Sequence, residues 1–420
     1  MGKTWEFDAE MLSDMLPVYY KRFFPYAPFY RWLSYGNIDS RQFSNREFSF
    51  TLRDDVYLRY QSFNSLHELE EMIKKRNPLK IDIGAIFSFP PSGYRQVTTG
   101  LTPIGRELVF DIDLTDYDEI RSCCDGANVC IKCWKFMSLA CKILDAALRE
   151  DFGFKHILWV FSGRRGIHCW VCDASAISLT GPERSAVAEY LQLISGSADC
   201  VKRVNLPNTD KLHSSVRRAL KFIEEEFVEL CITGQKLLDT ATSVQKFLQV
   251  IVDETLRKQI EQEIQKHNTG PEKWEAIKKE LCNDDLRKRR WLLEEIMLQY
   301  AYPRLDINVT KGVNHLLKAP FCIHPKTGKV CVPFNPGSAD KLDPTTVPVL
   351  NQLIEEVNEY DGEMKKQFKD NEGPKIRIKD YKKTSMCRSI QVFEEFVRCL
   401  EESWKGNHVK IAISDAKMEF

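Results

Sequence analysis

The chain has 420 residues, room for two to three domains at roughly 150 residues each and for a core that needs no disulfides. Hydrophobic residues make up 43% and aromatics 11%, a globular composition and not a disordered one, and no stretch reaches the ~18 apolar residues of a membrane helix. Lys+Arg and Asp+Glu number 60 each, a formal net charge of zero, which argues against coating nucleic acid by bulk charge and leaves a local basic groove open. The opening MGKTWEFDAEML has no basic-then-apolar signal pattern, and Glu6 stands where a myristoylation site needs Ser or Thr. The expectation is a soluble intracellular chain with no membrane partner. Its fourteen cysteines then read as reduced thiols or metal ligands.

Residues 11–35 (MLSDMLPVYYKRFFPYAPFYRWLSY) have a helical pattern that Pro17 and Pro25 are expected to break, and they read as an aromatic cap on a core. From 46 to 112 the pattern is that of strands: REFSFTLRDDVYLRYQSF, KIDIGAIFSF and RELVFDIDL. A helix is expected over 132–150, then a strand pair over 156–173 around a Gly-bounded turn. Residues 181–299 are rich in Leu, Glu, Lys, Gln and Ala at helical spacing, which predicts a helical insertion. Strand-like chemistry resumes over 303–333. A charged linker is expected over 361–383, and a C-terminal helix and tail over 384–420, with SIQVFEEFVRCLEE as its amphipathic part. The class is mixed α/β: a core from 1–180 and 300–360, interrupted by the insertion.

Four places carry chemistry. In ELVFDIDL (107–114), alternate residues share a strand face, so Asp111 and Asp113 point together while Phe110 and Ile112 pack the other way. Adjacent carboxylates repel unless a cation sits between them, and Mg2+ or Mn2+ are the natural occupants; the plainer alternative is two solvated acids at a strand end. The run Ser162-Gly163-Arg164-Arg165-Gly166-Ile167-His168 joins two strand-like stretches. Its glycines allow close backbone approach, and two arginines with a histidine suit a triphosphate better than a single carboxylate; the alternative is a basic surface hairpin. In PRLDINV (303–309), Asp306 lies between Leu305 and Ile307 in what reads as an apolar strand, where it would complete the acidic pair. His315 to Lys318 and then His324 follow. Three carboxylates and a basic cradle are what two-metal phosphoryl transfer requires, one ion activating a hydroxyl and the other steadying triphosphate and pyrophosphate. Finally, Cys123-Cys124-x5-Cys130-x2-Cys133 can close around one structural Zn2+; free thiols are the alternative. Cys169 and Cys172 would send their sulfurs to opposite sides of a strand, a structural pair.

Taken in order, REFSF, YQSF, KIDIGA, ELVFDIDLTDYD, the cysteine cluster, FGFKH, SGRRGIHCWVCD, MLQY, PRLDINV, HLLK and HPKTG closely resemble the small catalytic subunit of the archaeo-eukaryotic primases. The resemblance covers nearly the whole chain and is weakest in the helical insertion and the linker. It implies a primase-type mixed-sheet core with a helical subdomain and a zinc-binding loop. It implies Asp111, Asp113 and Asp306 as catalytic acids holding two Mg2+ or Mn2+ ions, with Glu47 of REFSF also at the active site. Ser162, Gly163, Arg164, Arg165, Gly166, His168, Lys318 and His324 would hold the nucleotide, His315, Leu316 and Leu317 would line the same pocket, and Asp82 would contact the ribose. Cys123, Cys124, Cys130 and Cys133 would bind zinc. Ribonucleoside triphosphates, a single-stranded DNA template, an RNA primer, an iron–sulfur large subunit, DNA polymerase alpha and a nuclear role in DNA replication complete the implication.

From the residues alone, two other classes stay open. A glycosyltransferase also uses Asp-x-Asp to hold a metal and a sugar diphosphate, and a zinc-held nucleic-acid scaffold would make the acids incidental. The single basic cradle carries one further expectation, that the chain extends a primer and initiates poorly. The remaining basic run, Arg287 to Arg290, reads as a solvated helix face.

Overall fold

Alternating and continuous apolar runs build two antiparallel sheets, and helices cover them. The computed structural model describes residues 5, 7–37, 39–96, 100–194, 201–282, 290–367 and 378–418. The strands are β1 (Arg46–Thr51), β2 (Tyr57–Gln61), β3 (Lys80–Phe87), β4 (Pro103–Gly105), β5 (Leu108–Asp113), β6 (Ile157–Phe161), β7 (Gly166–Val171), β8 (Leu317–Lys318) and β9 (Pro333–Phe334). The first sheet runs β2-β1-β3-β4, with β8 also on β3; the second runs β5-β7-β6-β9. β6 and β7 are buried along their whole length, which is why they read as unbroken apolar runs. The helix Ile131–Glu150 covers the second sheet, setting Trp134 edge-on to Phe161 and accepting a 2.9 Å hydrogen bond from Trp159 on Asp145.

The aromatic N-terminus is a buried cap, but Pro17 does not break it: one helix spans Leu12–Arg22 with Pro17 inside. A proline in a helix interior costs about 3 kcal/mol, and burying Leu12, Leu16, Tyr19 and Tyr20 at roughly 1.5–3 kcal/mol each outweighs that. Tyr19 and Tyr20 tie the helix down by donating 2.6 Å hydrogen bonds to the carbonyls of Phe321 and Pro78. The second aromatic helix, Tyr26–Ser34, buries Trp32 against Trp170 of β7 and Phe393 of the C-terminal helix. Between β2 and β3 stands a helix that the strand pattern hides, Leu66–Arg76, started by Ser65 accepting from the Glu68 N–H.

After Thr180 the described residues form the helices Gly181–Leu191, Ser214–Phe227, Ala241–Gln249, Glu254–Ile264, Gly270–Leu281 and Leu292–Ala301. The first of these packs against the sheet end, since buried Arg184 donates to the carbonyls of Arg106 and Glu107. PRLDINV corrects the expectation of a strand: residues 303–306 belong to no sheet, and Asp306 caps a short helix, Ile307–Lys311. The expected linker also differs. Its first part continues the helix Leu350–Gln367, and Asp380–Lys383 form a turn tied by Lys383 to Asp361 and by Arg22 to Asp380; residues 368–377, like Cys200 and Arg287 to Arg289, lie outside the described residues. The last helix, Cys387–Met418, buries Ile390, Phe393, Val397 and Leu400 in the common core. No helix of the described residues is long and apolar enough to cross a membrane.

Candidate active site

Strand register joins the first two motifs. β5 pairs with β7 so that Asp111 faces His168 and Asp113 faces Gly166. Directly opposed residues have neighbouring side chains, so the acidic pair and the basic turn meet although about fifty residues separate them in the chain. Phe110 and Ile112 are fully buried on the other face. The turn itself depends on glycine. Gly163 has φ +94°, and a Cβ there would lie 2.6 Å from Cβ of His324; a Cβ on Gly166 would lie 2.4 Å from the Ile112 carbonyl oxygen. Ser162 closes the turn, accepting on Oγ from the Gly166 N–H at 3.0 Å. Lys318 donates to the Ser162 carbonyl, and Thr327 donates to that of Gly163 at 2.8 Å.

The carboxylates are held in different ways. Arg165 Nε lies 2.7 and 2.8 Å from the two oxygens of Asp113, and Thr115 donates to it through both N–H and hydroxyl. Burial, and then the neighbouring Asp113, push the Asp111 carboxyl up to about 7. His168 Nε2 stands 3.6 Å from Asp111. Burial, and then Lys318, lower the His168 ring to about 3, so it is a neutral neighbour and not an ion-pair partner. Asp306 arrives by a backbone route: β5 is an edge strand, and the Asp306 N–H donates to the Asp111 carbonyl at 3.3 Å while Thr310 donates to that of Val109 at 2.8 Å. Its carboxylate accepts from the Asn308 N–H at 3.1 Å.

Two clefts share Asp111 and Asp113. The basic one, about 460 Å³, is lined by Asp82, Ser162, Arg164, Arg165, His168, His315, Leu316, Leu317, Lys318 and His324, together with Lys80, Pro325 and Lys326. The acidic one, about 660 Å³, adds Asp306, Asp116 and Glu119 to the pair, with Arg203 and Arg304. Burial, then Lys318, Arg164 and Arg165, lower His324 to about 3, so it too is neutral. Burial and then Arg106 lower His315. Asp82 sits opposite Lys318 in register, 3.1 Å from Lys80 Nζ and 3.3 Å from Ser49 Oγ. Leu317 is buried opposite Ile83, and Leu316 packs over Gly84, where a Cβ would come within 2.8 Å of it.

Of the residues expected at the nucleotide site, Gly163 and Gly166 shape the turn without lining a cleft, and Glu47 lines neither cleft. Glu47 is fully buried and engaged by Arg59, at 3.0 and 3.2 Å, and by the Tyr60 N–H at 3.3 Å. Lys80 and Asp116, in contrast, line the clefts without having been singled out. Lys80 shares a strand face with Asp82 at a spacing of two, and Asp116 follows Asp113 by one helical turn, so both signals are present in the sequence. Burial, then Asp113 and Asp306, raise the Asp116 carboxyl.

The sulfurs of Cys123, Cys124, Cys130 and Cys133 lie within 4.8 Å of one another, the only such set of potential metal-ligand atoms among the described residues. Cys130 precedes the helix Ile131–Glu150, and its own N–H donates to Cys133 Sγ at 3.3 Å. At Cys130 burial raises the thiol, but the Cys133 N–H and the neighbouring thiols more than offset this and bring it to about 7. Four converging soft donors, one already inclined to ionise, suit a tetrahedral metal with no open position. Cys169 and Cys172 face different surroundings, Cys169 near Cys141 and Asp145 and Cys172 under Trp32.

The family model described as DNA primase small subunit matches residues 110–336, a span that includes both acids of β5, the turn, the cysteine cluster and Asp306. The chain is 52% identical over 414 residues to the DNA primase small subunit of Drosophila melanogaster, covering 95% of this chain and 94% of that one. It is 40% identical to the corresponding subunit of Caenorhabditis elegans, covering 93% and 98%, and 39% identical to that of Saccharomyces cerevisiae, covering 81% and 85%. These matches set aside the glycosyltransferase and the non-catalytic scaffold: the chain belongs to the DNA primase small-subunit family.

Proposed function

We propose that the chain is a DNA-directed RNA polymerase that makes short RNA primers on single-stranded DNA, with the basic cleft as its nucleotide site. The observation that carries this reading is the β5–β7 register, which sets an acidic pair against a Gly-Arg turn in a cleft large enough for a nucleoside triphosphate. Arg164, Arg165, Lys318 and Lys326 supply charge to the phosphates, Ser162 lines the cleft while the glycines let the turn pack on Ile112 and His324, and neutral His168 and His324 offer N–H donors without adding charge. Asp82 serves the ribose, with Leu316 and Leu317 beside it. In the transfer a hydroxyl oxygen gives up its proton to solvent and attacks the α-phosphorus, the bond to the β-phosphate oxygen breaks, and pyrophosphate leaves.

Asp111, Asp113 and Asp306 are the residues that would hold Mg2+ or Mn2+. The donor set fits: these are hard oxygen ligands in one cleft, and the Asp111 carboxyl is raised first by burial and then by the neighbouring Asp113, both of which a bound cation offsets. Two such ions supply Lewis-acid activation of the hydroxyl and charge neutralisation at the triphosphate. Arg165 balances Asp113 in the ligand-free chain, and a triphosphate competes for the same guanidinium, so nucleotide entry releases Asp113 for its catalytic part. Glu47 acts through Arg59 as a positioning residue. The cysteine cluster holds one structural Zn2+, bracing the core formed by residues 1–180 and 300–360 against the helical insertion, 181–299.

As a small subunit, the chain works with a large iron–sulfur subunit and DNA polymerase alpha in the nucleus. Its relatives' names support the two-subunit part of this reading. The test is incorporation of labelled ribonucleotide on single-stranded DNA, with and without Mg2+ or Mn2+. No metal-dependent incorporation by the purified chain on a primed template would refute the proposal.

A further inference from the structure

We infer that the rim of the first sheet carries a stacking platform for unpaired bases of the single-stranded template, built from Tyr60, Tyr94, Arg59 and Arg95. This rests on the primase reading and adds a binding surface to it. Among the described residues only four aromatic side chains are substantially exposed, and three of them, Tyr57, Phe89 and Tyr94, belong to β2 or to the segment from Phe89 to Gln96 beside it. Single exposed rings are ordinary, whereas a cluster of them marks a contact surface.

The rings are ordered. Tyr60 and Tyr94 stack with centroids 4.7 Å apart and planes 30° from parallel. The guanidinium of Arg59 lies 4.9 Å from the Tyr60 centroid and that of Arg95 lies 5.5 Å from the Tyr94 centroid. The result is a column of π faces and positive charge, the combination that holds single strands without reading sequence. A duplex, whose bases are already stacked, gains nothing from it.

The backbone sets this column deliberately. Tyr60 has φ +57°, a left-handed conformation uncommon for a tyrosine, on the outermost strand of the sheet, and the β1–β2 register slips between Phe48 and Phe50 beside it. Such strain persists where the surroundings hold it, and here Glu47 grips both Arg59 and the Tyr60 N–H. The same outer strand also reaches toward the nucleotide cleft: the Tyr57 hydroxyl accepts from Ser49 Oγ at 3.0 Å, Ser49 Oγ lies 3.3 Å from Asp82, and Asp82 lines that cleft. With zero net charge on the chain, a local surface of this kind is what template capture needs.

The experiment uses the full chain and a 5′-fluorescein-labelled single-stranded dT oligonucleotide, read by fluorescence anisotropy. Tyr94→Ala is expected to weaken binding roughly 5- to 150-fold, the range of one lost base–aromatic stack, and to raise the KM for template while leaving the KM for nucleotide unchanged. Tyr94→Phe keeps the ring and gives up only the hydroxyl that accepts from Arg95 Nε at 3.0 Å, so it is expected to lose far less than Tyr94→Ala; Arg95→Gln weakens binding and flattens its salt dependence. Tyr94 is exposed, so unchanged thermal unfolding of each variant confirms the fold. Parent-like affinity of Tyr94→Ala, or equal loss by Tyr94→Phe, overturns the platform and leaves the surface to a protein partner. Ribonucleotide incorporation by the parent chain is followed in parallel: its failure counts against the primase reading, while oligonucleotide affinity alone decides the platform.

Discussion

Each acid of the site stands in a different electrostatic position. Asp111 is crowded and pushed up, Asp113 is balanced by Arg165, and Asp306 caps a helix. Replacing any of the three with Ala is expected to lower incorporation on the order of 10³-fold or more while the chain still folds; comparable turnover by one variant removes that residue from the catalytic set. The Asp111 carboxyl, raised from 3.8 to about 7, also predicts a pH dependence. Between those values the folded chain keeps a proton that the unfolded chain has lost, so without added divalent cation stability falls as pH rises through that window. Asp111→Asn should therefore gain on the parent by on the order of 1 kcal/mol at pH 8 and differ least below about pH 4. Parallel Tm profiles for the two proteins would sink this. On the basic side, Arg164→Ala or Arg165→Ala is expected to raise the nucleotide KM by about one to two decades, since a charged hydrogen bond contributes roughly 1.5–3 kcal/mol. An unchanged nucleotide KM with weakened template binding would reassign the arginine.

Among the elements, the cysteine loop has the widest reach. Gln235, just past the π-helical segment Val228–Gly234, accepts on Oε1 from the N–H groups of Ser122 and Cys123 at 2.9 and 3.3 Å. Lys135 and Lys142 of the following helix pair with Glu229 and Glu226. Elemental analysis is expected to find about one Zn2+ per chain. Removing it should increase amide exchange both in 120–135 and in 226–237, because the loop's hydrogen bonds end in the helices. Exchange confined to the loop would show that the two are independent. The hidden helix Leu66–Arg76 teaches a related lesson at this scale. Its Ser-x-x-Glu start was present in the sequence, but strand-like runs on both sides masked an eleven-residue helix.

For the whole molecule, the two clefts meeting at Asp111 and Asp113 differ in sign, and that bears on how a chain begins. Starting a primer needs two triphosphates at once. The acidic cleft contributes Asp116, Glu119 and Asp306, and its arginines, Arg203 and Arg304, both bond to Glu119. It is a poor second phosphate site, better matched to a neutral hydroxyl end. The purified chain should extend a short RNA primer on single-stranded template far better than it starts one, by roughly tenfold or more if a single charged contact to the second triphosphate is missing, and the large subunit should restore initiation. Equal primed and unprimed synthesis by the lone chain would contradict this.

Local chemistry determined much of this protein before any folding was considered. Period-two alternation declared the Asp111–Asp113 pair, two glycines around paired arginines declared the turn, and four cysteines within eleven residues declared a metal loop. Tertiary structure alone decided three other matters. Asp306 reads as a strand residue because Leu305 and Ile307 flank it, yet it caps a helix and reaches the site through a hydrogen bond to the open edge of β5. Glu47 lies in a motif that points to the site, yet the β1–β2 pairing gives it to Arg59. The Tyr60–Tyr94 column joins segments more than thirty residues apart through one left-handed tyrosine. Periodicity is a property of a single segment, whereas register, edge exposure and the partner of a buried charge depend on which distant segment packs alongside, and that is settled only when the whole core closes.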